Sequence, residues 1–464
     1  MAIYDISEKF SGYGRHQIDA QSFADGFVDS DVKTVYYNIG ATIQIRGGVI
    51  SIVNIISGVT SFGVYIDDTL VDTVSYDNSS SWRLNLSQYA DELEDGRHIV
   101  TLCAIGTGIA DNRSNPVVYY VGASPVYGVS GLHQSDPVLT RTDDAVGMNF
   151  AINDATGEIA SDFNDVFPWN VTEVVEDTAG NKFVSFPEMY FRIGADENHL
   201  LTDVAVSMQP NGEGTWFRVA PFMYGCYGAS VSGGTLKSVS GVERQGNTTR
   251  AQFRSYAAAN GEGYHQLDLY HRTVVMFLWF IEFATKKSDS IMTGRISGSG
   301  TMGGGSKRPT GGTDNLGTPS GYETAYGQMR YHYIEDFIGN QQEFVDGVCC
   351  KGIGDYDYVT DDPANFSDDT TGKSPLCYPV PNNNWLTALG WDSDNPFMCM
   401  PAETNGGSDT TFFCDYSGVA GASFPVLCCG AYCSDAYSSY GLACFCRNYA
   451  GSGYAYRGGR LLKS

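Results

Sequence analysis

Apolar and polar residues alternate in short runs from Thr34 to about Tyr120: TVYYNIG, ATIQIRG, GVISIVNII, FGVYIDD, TLVDTVSYD, SWRLNLS, RHIVTLCAIG and PVVYYVG. Gly, Asp, Asn and Ser separate the runs at close intervals. A period of two with frequent turn signals predicts one small antiparallel β-sandwich over residues 36–122. Residues 1–35 are polar and rich in Gly and Asp, and are expected to form an arm or a first strand pair. After the junction ASPVYGVSGLHQSDP the spacing changes, and residues 123–464 read as one larger domain. Two helices are predicted there. Thr249–Ala259 (TRAQFRSYAAA) carries Ala and Arg at helical spacings. His265–Thr285 places Leu267, Leu269, Tyr270, Val274, Phe277, Leu278 and Ile281 on one face, with Asp268, His271 and Arg272 opposite. The apolar stretch Thr273–Phe280 is too short to span a bilayer. Ser297–Gly321 is Gly-rich and reads as a long surface loop. The fold class that follows is α+β.

Composition narrows the function. With 28 basic and 53 acidic residues the net charge is −25, which argues against a nucleic-acid partner, since phosphate binding needs a basic stripe. The same charge disfavours docking on anionic lipid. The first residues, MAIYDISEKFSGYGRH, have neither the basic nor the apolar region of a secretory signal. The 12 cysteines include two adjacent pairs, Cys349-Cys350 and Cys428-Cys429, and show no zinc spacing. Assembly in a reducing cytoplasm with mostly free thiols is expected.

The C-terminal run has the most unusual composition. Ala431–Tyr456 is almost all Tyr, Ser, Gly, Ala, Cys, Asn and Asp, and lacks Lys, Glu, Gln, Met and Trp. Paratopes share this composition, because Tyr gives rigid amphipathic contact area and Ser, Gly and Asn give adaptable hydrogen bonds. Leu442, Phe445, Leu461 and Leu462 are spaced apolar anchors, which disordered tails usually lack. The candidate ligand-binding residues are Tyr432, Cys433, Ser434, Asp435, Tyr437, Ser438, Tyr440, Ala443, Cys444, Cys446, Arg447, Asn448, Tyr449, Ser452, Tyr454 and Tyr456, in a variable region near 430–457.

The frame around this run, Cys429-Gly430-Ala431-Tyr432, Gly441-Leu442 with Phe445, and Gly458-Gly459-Arg460-Leu461, resembles the variable region of proteins diversified by diversity-generating retroelements. That family has a C-type-lectin fold and mutates adenines in Asn codons, which cannot yield the five missing residue types. Thr140–Gly147, Ser161–Asn164, Phe167–Trp169 and Gly180–Val184 resemble the opening of tail-associated proteins of phages from Gram-positive hosts. Gly339, Asn340, Glu343 and Phe344 resemble the G-N-x-W-E-W signature of formylglycine-generating enzymes and their lectin-fold relatives. This resemblance spans about residues 130–464 and implies that Asn340 and Glu343 bond loop backbone. The segments from FGVYIDDTLVDTV to SWRLNLSQYADELEDGRHIVTLCA resemble bacterial and phage Ig-like sandwiches.

Catalysis has thinner support. The oxidase relatives hold copper with two cysteines five residues apart. Cys433 matches the first place, but Ser438 stands at the second, and one thiolate does not make a two-coordinate soft-metal site. No His joins a local nucleophile signature. Asp361-Asp362 and Asp368-Asp369 could hide a glycosidase pair, and Gly354–Asp362 offers oxygen ligands without EF-hand spacing. The resulting expectation is a non-enzymatic binder with no cofactor and no metal. Its partners would be a host-surface protein or glycan and other phage tail proteins, with a homotrimer as one assembly. It would be a virion tail protein assembled in the host cytoplasm. A bacterial surface or secreted diversified lectin is the alternative, and a formylglycine-type oxidase a lower one.

Overall fold

The computed structural model describes residues 33–36, 42–46, 49–52, 59–76, 83–85, 88–89, 96–106, 117–121, 124–211, 214–292, 294–295, 307–419, 426–431, 442, 445–448, 450–451 and 453–464. The protein is mostly β-sheet, with two α-helices among the described residues. The chain divides into two compact units, Met1–Pro125 and Val126–Ser464.

The first unit holds two antiparallel four-stranded sheets. One runs in the order Lys33–Tyr36, Thr42–Arg46, Val49–Ile52, Arg83–Asn85; the other in the order Thr69–Ser75, Val59–Ile66, Gly96–Gly106, Val117–Val121. The period-two pattern acts as expected in the second sheet. Phe62, Val64 and Ile66 are buried, as are Val100 and Leu102. Register sets Val64 opposite Leu102 and Ile66 opposite Val100, so cross-strand pairs bury together. Asp67 and Asp68 both have left-handed φ, +48° and +62°. That backbone matches the twist a two-residue hairpin needs, and Asp tolerates it through local hydrogen bonding.

The second unit contains the larger core. One five-stranded sheet runs Thr140–Asp143, Val126–Ser130, Leu201–Ser207, Met189–Ala195, Trp216–Val219. Another runs Glu173–Glu176, Lys182–Phe186, Phe222–Gly228, Arg460–Lys463, Tyr264–Gln266. The eight-stranded sheet centres on Gln342–Cys350, which is buried along its whole length. One cluster of fully buried side chains joins Phe183, Phe253, Ala257, Phe344, Val426 and Leu461. The strands on either side of the Tyr-rich run are therefore part of the central core.

The short helix spans Arg250–Ala258, with Thr249 as N-cap and Gln252 closing a capping box. A cap of this kind is worth about 1 kcal/mol. The long helix spans Leu269–Phe283. It begins later than the apolar spacing predicts, because His265 and Gln266 belong to the strand Tyr264–Gln266 and pair with Leu462 and Leu461. Asp268 then serves as N-cap, accepting from the His271 N–H. The face opposite the apolar residues is enclosed as well. Asp268 and Arg272 are buried, since the helix is enclosed nearly all round. The buried Arg272 guanidinium is satisfied there by donating to the carbonyls of Phe337 (3.1 Å) and Leu442 (3.4 Å) and by lying 3.9 Å over the Phe337 ring. Among the described residues no helix is long and apolar enough to cross a membrane.

The expected surface loop Ser297–Gly321 is described from Lys307: residues 307–319 form turns without strand or helix, and Arg308, Pro309, Asp314, Asn315 and Gly317 are exposed. Thr310 and Thr313 are buried, and Ser320–Tyr322 is a strand. The Glu335 carboxylate explains the burial. It accepts from Gly311 N (2.9 Å), Thr313 N (2.9 Å) and Thr313 Oγ1 (2.8 Å), so loop donors that would otherwise need water are satisfied inside.

Candidate functional site

The strand Gln342–Cys350 organises the C-terminal region. On one edge it pairs antiparallel with Val426–Cys429, placing Cys429 opposite Glu343. On the other edge it pairs in parallel with Arg457–Gly458, placing Gly458 opposite the same Glu343. The chain thus leaves and returns beside one residue. Between these points lies the strand Phe445–Asn448, which pairs with Val426–Cys429 in the register Cys428↔Cys446 and Cys429↔Phe445. The Tyr-rich run is a closed excursion from one fixed position in the core.

Arg460 holds that position. Its Nε lies 3.0 Å from both Glu343 oxygens. Nη1 donates to Gly225 O (2.9 Å) and Cys226 O (3.1 Å), and Nη2 to Glu335 O (2.6 Å). Arg244 joins the group, with Nη1 3.0 Å from Asp336 and Nη2 3.0 Å from Glu343. Arg244 lies so close to Gly228 that a Cβ there would fall 2.0 Å from its Nη2. The Asp336 carboxylate also accepts from Asn340 Nδ2 (2.7 Å) and Gln328 Nε2 (3.1 Å). All five charged residues are buried.

Charge balance follows from this geometry. Two guanidinium groups face three carboxyls, and Glu335 is the one without a guanidinium against its side chain among the described bonds. Burial, then the neighbouring Asp336 charge, pushes the Glu335 carboxyl up to about 7. Burial raises Asp336 as well, opposed by Arg244. For Arg460, burial works against the charge, but Glu343 outweighs it and holds the guanidinium above its ordinary value.

Asn340 and Glu343 differ in their roles. Asn340 accepts from Arg308 N (2.8 Å) and donates to Arg308 O (3.1 Å), which is a loop-backbone clamp as the resemblance implies. Glu343 binds guanidinium groups instead of loop backbone. The partners Arg244 and Asp336 were not singled out from the sequence. They lie 92 residues apart, and no local spacing links them.

Tyr454 and Tyr456 are the described aromatic residues of the expected face. Their rings stack 5.2 Å apart at 11°, and the Arg457 guanidinium lies 4.6 Å and 5.4 Å from their centroids. Tyr454 is exposed and Tyr456 half-buried. Backbone contacts fix the pair from below. Asn247 N donates to Tyr454 O (3.0 Å), Gln341 Nε2 to Ala455 O (3.0 Å) and Gln342 N to Tyr456 O (3.0 Å). Of the apolar anchors, Leu442, Leu461 and Leu462 are buried. For Phe445, Cys446, Arg447 and Asn448 the strand backbone alone is described. Tyr432, Cys433, Ser434, Asp435, Tyr437, Ser438, Tyr440, Ala443, Cys444, Tyr449 and Ser452 lie outside the described residues, as do Cys433 and Ser438 in their copper-site comparison.

Other chemistry can be placed. Among the described residues no group of three or more His, Cys, Asp or Glu side chains converges to hold a metal ion. Cys226, Cys349, Cys399 and Cys414 are buried free thiols. Burial raises the Cys226 thiol to about 12 and Cys349 above its ordinary value, so neither is a ready nucleophile at neutral pH. His265 Nε2 lies 2.9 Å from Ser464 Oγ. Asp268 is shared between His265 (3.4 Å) and His271 (2.8 Å) while capping the long helix, so its lone pairs are engaged in the fold. No family model matches this chain, and no curated protein matches it.

Proposed function

We propose that the chain is a ligand-binding protein and not an enzyme. In this reading an Ig-like sandwich carries a C-type-lectin domain whose retroelement-diversified run, about Ala431–Tyr456, recognises a host-surface protein or glycan at a phage or prophage tail tip. One observation carries it: the run starts and ends beside Glu343, in a buried ion network, while Tyr454 at its end is exposed. A site that varies without unfolding its carrier needs such an arrangement. Side chains on a rigid support also lose less entropy on binding.

The decisive test is the gene. A near-copy of the Gly430–Leu462 coding segment should lie beside a reverse-transcriptase gene and differ at template adenines. Neighbouring tail genes would separate the tail-tip reading from a bacterial surface lectin. A locus with neither feature sinks the diversification reading. The oxidase reading makes the opposite demand, copper-dependent oxidation of a Cys-containing peptide.

A further inference from the structure

The end of the Tyr-rich run crosses a loop outside it, residues 245–248, which leads into the short helix. The crossing is backbone on backbone. Asn247 N donates to Tyr454 O (3.0 Å). The Gln341 amide donates through Nε2 to one carbonyl on each side, Gln245 O (2.9 Å) and Ala455 O (3.0 Å). Glycines permit the approach: a Cβ at Gly246 would lie 2.5 Å from Ala455 O, and one at Gly453 would lie 2.8 Å from Thr248 N. The loop is also tied within itself, since Gln245 Nε2 donates to Gly246 O (2.7 Å) and Thr248 Oγ1 (2.8 Å). Of its four residues Asn247 alone is exposed. Asn247 stands at φ +53°, a left-handed conformation that Asn adopts more readily than most residues. Its N–H is spent on Tyr454, and its side-chain amide has no hydrogen-bond partner among the described residues.

On the other side of the crossing, Tyr454 ends a stack. Its ring lies parallel to that of Tyr456, and the Arg457 guanidinium lies against both. Tyr454 is 45 % exposed, whereas Arg457 is buried. Charge narrows the ligand first. Residues 245–248 and 453–456 carry no charged side chain, and the chain as a whole stands at −25, so a polyanion is repelled at long range and meets no exposed cation on these two segments. A cationic group is disfavoured as well, because Arg457 already sets a positive charge against the two rings. Shape narrows it further. An anchor residue of a protein partner takes a desolvated pocket, and the neighbours of Tyr454 along the run, Gly453 and Ala455, have no side chains long enough to wall one. A neutral pyranose needs what is present: a flat aromatic surface for its apolar C–H face, and beside it an amide that both donates to and accepts from hydroxyls. We infer that Tyr454 and Asn247 form a subsite for a neutral pyranose unit of a glycan, with the ring as platform and the loop amide as a hydroxyl contact supplied from outside the run. The inference takes its setting from the receptor-binding reading and makes a glycan the ligand class at this end of the face.

The test uses the full chain and the methyl glycosides of glucose, galactose, mannose and N-acetylglucosamine as probes, followed by saturation-transfer NMR. The parent should bind at least one of them, with saturation strongest on the ring protons of one face. Tyr454→Ala should weaken that binding at least about tenfold, while Tyr454→Phe should keep it, because the ring and not the hydroxyl is the platform. Asn247→Gly retains the left-handed backbone and removes the amide alone, and should weaken binding about three- to tenfold, the factor for one hydrogen bond. Melting curves on the same preparations show that each chain is folded. A parent that binds none of the four probes overturns the inference without recourse to any variant. So does a Tyr454→Ala or an Asn247→Gly chain that binds like the parent. Adsorption of the parent to host cells, pretreated with periodate or with protease, separates the two readings. Adsorption lost to protease and unchanged by periodate leaves receptor binding standing and overturns the glycan class. Glycoside binding by a parent that adsorbs to no host cell keeps the subsite and removes the receptor-binding reading.

Discussion

Arg460 and Tyr454 are six residues apart and obey opposite rules. Arg460 is fully buried, with an acceptor for every guanidinium nitrogen. Tyr454 is exposed, and its ring touches only Tyr456 and Arg457 among the described ring contacts. The first is over-determined by its surroundings; the second is hardly determined at all. A binding surface can change its side chains when the residues that hold it are insulated from the change. Substitution should therefore separate stability from recognition, and four experiments test how sharply.

The largest effect on stability is expected at the ion network. Arg460→Ala leaves Glu343 buried beside Arg244 alone and removes donors from four carbonyls, those of Gly225, Cys226, Glu335 and Asp336. Breaking a buried pair by deleting one partner costs about 3–5 kcal/mol, so the variant should melt far below the parent or fail to fold. Replacing Arg460 and Glu343 together with apolar residues should cost less than Arg460→Ala alone, because no unpaired charge remains. Denaturant unfolding of the three chains checks this. A near-parental Arg460→Ala would mean that the network does not hold the frame.

Gly459→Val comes next. A Cβ at Gly459 would sit 2.7 Å from Gln266 Oε1 and 2.9 Å from Phe253 Cδ1. Phe253 belongs to the central cluster and has little room to yield. Overpacking of this kind costs roughly 1–3 kcal/mol. The check is a lowered midpoint together with retained ligand binding in the folded fraction. A Gly459→Val chain with parental stability would show that the close approach of the closing strand is not needed.

How much of this was legible beforehand differs by element. The period-two strand Phe62–Ile66 follows from local pattern, and so does the short helix near Thr249–Ala259, while the left-handed Asp67-Asp68 turn and the Thr249 cap emerge only in the structure. The frame residues Leu461 and Leu462 follow from spacing. The long helix was legible in its centre but not at its start, because His265 and Gln266 fit a helical period and a strand equally well until Leu461 and Leu462 supply partners. Enclosure of its polar face was hidden for a related reason: burial of Arg272 depends on the Phe337 and Leu442 carbonyls, which local sequence does not place. The Glu335 cage and the Arg244–Asp336 contact are likewise long-range, and composition favours a loop wherever Gly is dense.

A smaller effect, on the order of 2 kcal/mol, is expected from pH. Glu335 has its carboxyl raised from 4.5 to about 7 in the folded chain, so between those values the folded state binds more protons than the unfolded state. Stability from this group is present in full below about 4.5 and is lost as pH rises through about 7. Glu335→Gln, which cannot titrate, should lower stability overall, yet show a smaller fall between pH 5 and pH 7.5 than the parent. Parallel curves for the two chains would remove Glu335 as the titrating group.

The smallest effect on stability, and the sharpest test of the contrast, belongs to the face itself. Exposed side chains away from caps and cores usually shift stability by about 0.5 kcal/mol or less. Tyr454 is described and exposed, and loses one stacking partner and one cation–π contact on truncation, each worth on the order of 1 kcal/mol or less at an exposed site. A combined Tyr437→Ala, Tyr449→Ala and Tyr454→Ala chain should thus melt within a few degrees of the parent. At an interface the same truncations commonly cost about 2 kcal/mol or more for each anchor, so binding to the native host surface should fall by well over tenfold. Melting and host-cell adsorption measured on the same preparation decide the matter. If adsorption is parental, recognition lies elsewhere and the two-sheet unit Met1–Pro125 becomes the next region to test. If melting collapses as it should for Arg460→Ala, the tyrosines are part of the frame, and the separation of stability from recognition fails.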